Sequence, residues 1–124
     1  MRLALSIRQP WAELILQGRK TIEVRTWATR HRGELWLHTG VRRDEKALNR
    51  FDLKADNLTF GALVGTCELY DCIEFSNETW HRWRNQHLNE GPLDGRRYAW
   101  LLRAPTRIKP RPLKGQLRLM KIAD

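Results

Sequence analysis

The chain has 124 residues, 41% of them hydrophobic and 30% charged, with two cysteines; this suits one globular domain and excludes a disordered tail or a disulfide-stapled miniprotein. Its apolar runs are five residues or shorter, far below the ~20 that cross a bilayer, and Met1-Arg2 opens no charged-then-apolar leader. The formal net charge of +9 is uneven: residues 1–95 carry 14 basic and 13 acidic side chains, residues 96–124 carry 9 and 1.

Leu3-Ala4-Leu5-Ser6-Ile7 alternates apolar with small or polar residues, a strand pattern with Leu3, Leu5 and Ile7 inward. Pro10 suits the first turn of a helix whose Trp11, Leu14 and Ile15 share a face. Gly18 is placed to end that helix, with Arg19 and Lys20 at its negative pole. Residues 21–27 alternate again, Ile22 and Val24 one way and Thr21, Glu23, Arg25 and Trp27 the other. After an Arg- and Thr-rich loop, residues 34–39 read as a third strand with Leu35 and Leu37 inward, Trp36 and His38 opposite, and Gly40 as its end. Residues 44–53 carry a helical stripe of Ala47, Leu48 and Phe51. Residues 60–75 are a long β-rich run bent at Gly61 or Gly65. Ser76 or Asn77 caps a short helix or loop over 76–91, with Trp80, Trp83 and Leu88 packing down. Residues 97–103 are a strand with Tyr98, Trp100 and Leu102 on one side. Three prolines and four cations make 105–115 a rigid, extended basic loop. Residues 116–122 close the chain as a strand, Leu117, Leu119 and Lys121 alternating against Arg118.

Cys67 and Cys72 lie five apart in one strand, on opposite faces by alternation, so two free thiols are expected. Neither a CxxC nor a metal-ligand spacing occurs, and no metal or cofactor is expected. The elements add up to a mixed α+β, mainly β domain over residues 1–124. Its expected form is a partly open five- to six-stranded β-barrel with two or three short helices on its flanks. No membrane contact is expected, and the compartment expected is the cytoplasm.

The charged face of strand 21–27 carries the chemistry. Glu23 and Arg25 are two residues apart, about 7 Å between Cα atoms, and long side chains at that spacing meet. Ser6, Arg8 and Lys20 flank the intervening helix, so Ser6, Arg8, Lys20, Glu23 and Arg25 are placed to edge one cleft. Trp11, Trp27, Trp36 or Trp100 would flank it, and His38 would lie on a neighbouring strand. Cations hold phosphate, flat rings stack a base and a carboxylate accepts from an exocyclic amine. The blander reading is a surface ion pair worth ~0–1 kcal/mol over ordinary core tryptophans and a packed histidine. Arg103, Arg107, Lys109, Arg111, Lys114 and Arg118 form a basic patch, with a smaller one at Arg25, Arg30, Arg32, Arg42 and Arg43. The partner class expected is RNA, another nucleic acid or a nucleotide-like ligand, attracted through counterion release.

Gly18-Arg19-Lys20-Thr21-Ile22-Glu23-Val24-Arg25 fits the GxKxxExR signature of the ASCH domain, a branch of the PUA-like superfamily. Leu5 to Trp11 and Arg32 to His38 also resemble ASCH segments, and a weaker likeness runs through Gly61–Cys72 and Tyr98–Leu102. The resemblance implies a PUA-like barrel, a cleft lined by Lys20, Glu23 and Arg25, and a role in RNA metabolism or transcription coactivation.

It also implies an alternative. One bacterial branch hydrolyses the acetamide of N4-acetylcytidine, and ribonuclease activity is ascribed to another member. Lys20 matches the lysine of the amidohydrolase branch, but Glu23 stands where that branch has a threonine nucleophile, and a carboxylate does not replace a hydroxyl. Glu68 and Glu74 are loose matches for its second carboxylate. In a metal-independent ribonuclease, Glu23 or His38 would take the 2′-hydroxyl proton, with Lys20 or Arg25 holding the developing charge. Lys20 and Glu23 are therefore the candidate catalytic pair.

Overall fold

The computed structural model describes residues 2–115 and 118–123. Six strands form one sheet: β1 (Arg2–Gln9), β2 (Ile22–Arg25), β3 (Gly33–Arg43), β4 (Ala62–Glu74), β5 (Tyr98–Pro112) and β6 (Leu119–Ile122). Their spatial order is β2-β5-β4-β3-β1-β6; β1 and β3 run parallel and the other pairs antiparallel. Four short helices, α1 (Trp11–Leu16), α2 (Glu45–Arg50), α3 (Asn77–Arg82) and α4 (Arg84–His87), cover the flanks, one more than the upper expectation.

A flat sheet would hold β2 and β1, four strands apart, about 19 Å from each other. Instead Arg25 on β2 donates from Nη2 to the Ser6 carbonyl on β1 at 2.8 Å. The sheet is rolled into a barrel that does not close by a backbone ladder, and its seam is bridged by a side chain. The expected partly open barrel is the observed one.

Leu5, Ile7, Leu35, Leu37, Leu69, Trp100 and Leu102 fill the barrel, with Ala12 and Ile15 of α1 against them. Apolar residues on both faces of β5 are covered: Ala99 and Leu101 join Ile22, Phe75 and Trp80 in a second cluster. Ser6 and His38 lie side by side because β1 and β3 are in parallel register there.

Several boundaries depart from the sequence reading. Gly40 does not end β3, which runs on to Arg43. The expected basic loop over 105–115 is the second half of β5 as far as Pro112. Proline is tolerated there because β2 reaches only Leu101, so β5 has one free edge beyond it. Cys67 and Cys72 are both free, yet both pack against the same core cluster, not opposite faces. An irregularity between Leu69 and Asp71 shifts the register and reverses the alternation. Burial pushes the Cys67 thiol up to about 12, which leaves it inert. The strand expected over 116–122 is observed as Leu119–Ile122; Leu117 lies outside the described residues.

α3 begins at the Ser76 capping box. His87, fully buried at the end of α4, stacks on Trp80 at 4.2 Å. Its Nε2–H donates to the Trp80 carbonyl and its Nδ1 accepts from the Asn89 amide. Burial lowers the ring's pKa to about 4. Between pH 6.5 and about 4 the unfolded chain takes up this proton and the folded chain does not, so stability falls as pH drops through that window, by roughly 3 kcal/mol at most. Urea unfolding at pH 7, 5.5 and 4.5 is expected to show that slope in the native protein and to lack it in His87→Gln.

Candidate functional site

The open seam is a cleft of about 930 Å³. The end of β1 supplies Ser6 and Arg8, α1 supplies Trp11, and β2 with the turn after it supplies Glu23, Arg25 and Trp27. The extension of β3 past Gly40 adds Val41 and Arg42. The fourth wall is the connection from β5 to β6. The strand order forces this connection to cross β4, β3 and β1, and Leu113, Lys114, Gly115 and Arg118 line the cleft from it.

That crossing is pinned by His38. The ring is wholly buried. Nε2 donates to the Leu113 carbonyl at 2.5 Å, and Nδ1 is hydrogen-bonded to Ser6 Oγ at 3.0 Å. Gly115 passes so close that a Cβ there would lie 2.5 Å from the His38 ring. His38 thus meets the cleft as the peg of its wall, with both nitrogens engaged.

Glu23 sits at the floor, 7% exposed. Its Oε2 accepts from Arg25 Nε at 3.0 Å. Its Oε1 has Lys20 Nζ as its charged neighbour at 3.8 Å, beyond hydrogen-bond length. Lys20 does not line the cleft: it is 2% exposed, behind Glu23, with its ammonium on the His87 carbonyl and 4.7 Å from the Trp11 ring centroid. Burial lowers its pKa to about 8 against the opposing pull of Glu23. Trp100 is a second correction. It is wholly buried because its face of β5 points into the barrel, and its Nε1–H donates to the Trp27 carbonyl at 3.1 Å. It supports Trp27, edge-on at 4.8 Å, and cannot touch a ligand. Trp36 packs in a different cluster, against Ala4 and Met120.

The basic patch divides. Arg107 forms a two-pronged pair with Glu13 at 2.7 and 2.8 Å, Arg103 pairs with Glu68 at 2.8 Å, and Arg111 donates to the Ala123 carbonyl. Lys109 is exposed on β5, outside the cleft. Only Lys114 and Arg118 of the six reach the cleft, Arg118 over the Trp27 ring at 4.9 Å. In the smaller patch Arg25 pairs with Glu23, Arg32 with Asp71 and Arg43 with Glu45; Arg30 is exposed outside the cleft and Arg42 stands at its mouth. Arg8, Arg42 and Lys114 have no acidic partner among the described residues. Glu68 and Glu74 are outside the cleft, paired with Arg103 and Arg96.

Val41 and Arg42 are lining residues that sequence reasoning misses as a cleft wall because Gly40 reads as the end of β3, and Thr26, Leu113 and Gly115 are missed as well. The signal available is the run Val41-Arg42-Arg43 itself, which continues an extended pattern.

Comparison with known proteins gives this seam its context. The family model described as the ASCH domain matches residues 5–112. The chain belongs to the ASCH family. ASCH domains are generally RNA-associated. The chain is 36% identical over 81 residues to Activating signal cointegrator 1 of Mus musculus and 33% identical to that of Homo sapiens. Each match covers 56% of this chain and 14% of the relative, so the likeness concerns a small part of those proteins. The crystal structure of ASCH from Zymomonas mobilis superposes with a TM-score of 0.73, covering 98% of this chain and 87% of that one, at 17% identity. A mutant form of that Zymomonas mobilis protein gives 0.65, covering 90% of this chain and 76% of that one, at 18% identity. At such identity these ASCH structures establish the shared fold. Among the described residues no helix is long and apolar enough to cross a membrane, and no group of three His, Cys, Asp or Glu side chains is placed to hold a metal.

Proposed function

We propose that this ASCH domain binds single-stranded RNA, drawing one nucleotide into the seam of the barrel while flanking phosphates rest on the rim. One observation carries the reading. Besides Arg118, which lies over the Trp27 ring, three cations without acidic partners among the described residues, Arg8, Arg42 and Lys114, come from three separate segments to one concave mouth, while Arg103 and Arg107 are neutralised elsewhere. Unpaired cations converging on a cleft attract polyanions; paired ones on a convex sheet contribute little. Trp11 and Trp27 offer ring surface inside, as stacking requires. The general association of the ASCH family with RNA supports the nucleic-acid class of partner.

The hydrolytic alternative has less support. Lys20 is turned away from the cleft, and one oxygen of Glu23 is held by Arg25, so neither is disposed as the sequence pairing required.

The test is anisotropy of a labelled RNA octamer across 50–300 mM salt. Three phosphate contacts on a single strand predict a slope of log K on log salt near −2. Arg8→Ala/Arg42→Ala/Lys114→Ala is expected to flatten it towards zero, and Arg103→Ala/Arg107→Ala to leave it unchanged. Absence of binding at 50 mM salt, or a slope indifferent to the rim triple substitution, overturns the reading.

A further inference from the structure

The charge in the cleft is layered. Its rim is cationic, at Arg8, Arg42 and Lys114, and its floor carries a buried carboxylate, Glu23. From this layering we infer that the floor selects nucleobases with an exocyclic amino group, cytosine, adenine or guanine, and rejects uracil. The inference rests on the binding reading above and specifies what that site prefers.

Several alternative guests are excluded by the same electrostatics. At the floor both cations, Arg25 and Lys20, are already engaged with Glu23, so a phosphate there would have to compete with that carboxylate, whereas at the rim it meets cations with no acidic partner among the described residues. A cationic guest, such as an amine, would have to pass the rim cations and Arg118. What fits both layers is a flat, neutral group that donates hydrogen bonds at its far end and carries its negative charge at the near end. An amino-bearing nucleotide has that form.

Glu23 is poised for such a donor. Oε2 has Arg25 Nε, but Oε1 has no hydrogen-bond donor within 3.5 Å among the described residues; Lys20 stands at 3.8 Å with its own donors on the His87 carbonyl and Asn89 Oδ1. No side-chain polar atom is left both buried and unpartnered among the described residues, so Oε1 keeps access to the cleft's solvent, and a ligand donor there takes the place of water on a carboxylate oxygen that no protein group holds at hydrogen-bond length. The amino groups of cytosine, adenine and guanine supply it. Beside the carboxylate, Arg25 spends Nε on Glu23 and Nη2 on the Ser6 carbonyl, which leaves Nη1 for a ring acceptor adjacent to the amine. Uracil presents a lone ring N–H between two carbonyls, so docking it on Oε1 brings a carbonyl oxygen against the carboxylate. One charge-assisted hydrogen bond gained or lost corresponds to about tenfold or more in affinity.

The experiment is competition against a labelled rC8 strand at 50 mM salt by rC8, rA8, rU8, rC8 built from N4,N4-dimethylcytidine, and CMP. The expected result is that rC8 and rA8 compete about tenfold better than rU8, and that dimethylation lowers rC8 to the level of rU8. The dimethylated strand removes the donor from the ligand and leaves the protein untouched, so the outcome does not depend on a variant that folds. In Glu23→Gln, whose amide both donates and accepts, the preference over rU8 should shrink to about threefold or less. CMP competing less well than rC8 assigns the guest to a strand, equal competition assigns it to a free nucleotide, and both carry the selection. Equal competition by rC8, rU8 and the dimethylated strand overturns the inference and leaves the binding reading standing. No binding of any strand overturns both.

Discussion

Glu23→Ala is expected to lose about 2–3 kcal/mol of unfolding free energy at pH 7, measured by urea titration. Breaking a buried ion pair typically costs ~3–5 kcal/mol because the orphaned charge stays buried. Here Lys20 has an escape. Its pKa is already about 8 with Glu23 beside it, and without Glu23 it falls further, so Lys20 sheds its proton and caps the penalty. The sign follows from linkage. The native protein carries a protonated Lys20 below about pH 8 and the variant a neutral one, so the gap between them narrows as pH rises through 8. At pH 9 it should be smaller by about 1 kcal/mol. A gap that is constant or widens from pH 7 to 9 would show that Lys20 and Glu23 are not coupled.

Gly65→Ala is the second large effect, expected at about 3 kcal/mol, the upper end of overpacking costs. A Cβ at this position would lie 2.4 Å from Leu16 Cδ2 of α1 and 2.5 Å from the Thr106 carbonyl oxygen of β5. The leucine tip can swing away; the carbonyl belongs to a paired strand and cannot move without separating β4 from β5. Calorimetry should register a fall in Tm on the order of 10 °C. An unchanged Tm would mean that the two strands part there at no cost. The same substitution at Gly18, where a Cβ meets nothing within 4 Å, tests φ strain alone, since its φ is +78°.

Much of the barrel was legible because alternation survives in the short strands. Leu5, Ile7, Leu35 and Leu37 are buried as their period-two spacing requires, and Asp44 and Ser76 cap helices as short polar residues do. Legibility fails where a bulge changes parity or where a breaker is tolerated. Cys72 is on the core side because of the irregularity after Leu69, which no local pattern announces. Pro105, Pro110 and Pro112 read as a loop, yet an edge strand accepts them.

The site was legible in part for the same reason. Ser6, Arg8, Glu23 and Arg25 gather as spacing along β1 and β2 suggested. Lys20 and Trp100 fail as contacts because burial is a tertiary property: Lys20 turns beneath Glu23, towards the carbonyl at the end of α4, and Trp100 faces into the barrel. The fate of the basic tail depended on partners distant in the chain. Arg107 meets Glu13 across 94 positions, and only the rolled sheet brings the two together.

Lys114 and Gly115, which line the cleft, stand a few residues before β6 in the chain, and the ladder of β6 with β1 pairs Arg2 with Ile122 and Leu5 with Leu119. On the proposed binding mode, a strand of RNA held at Lys114 would be tied to the outermost rung of the sheet. Occupancy would raise the free energy of opening that edge, and the amides of β6 should exchange with deuterium more slowly when the seam is filled, although no base lies near them. If the seam binds as proposed, recognition and edge protection would be two consequences of one polypeptide crossing.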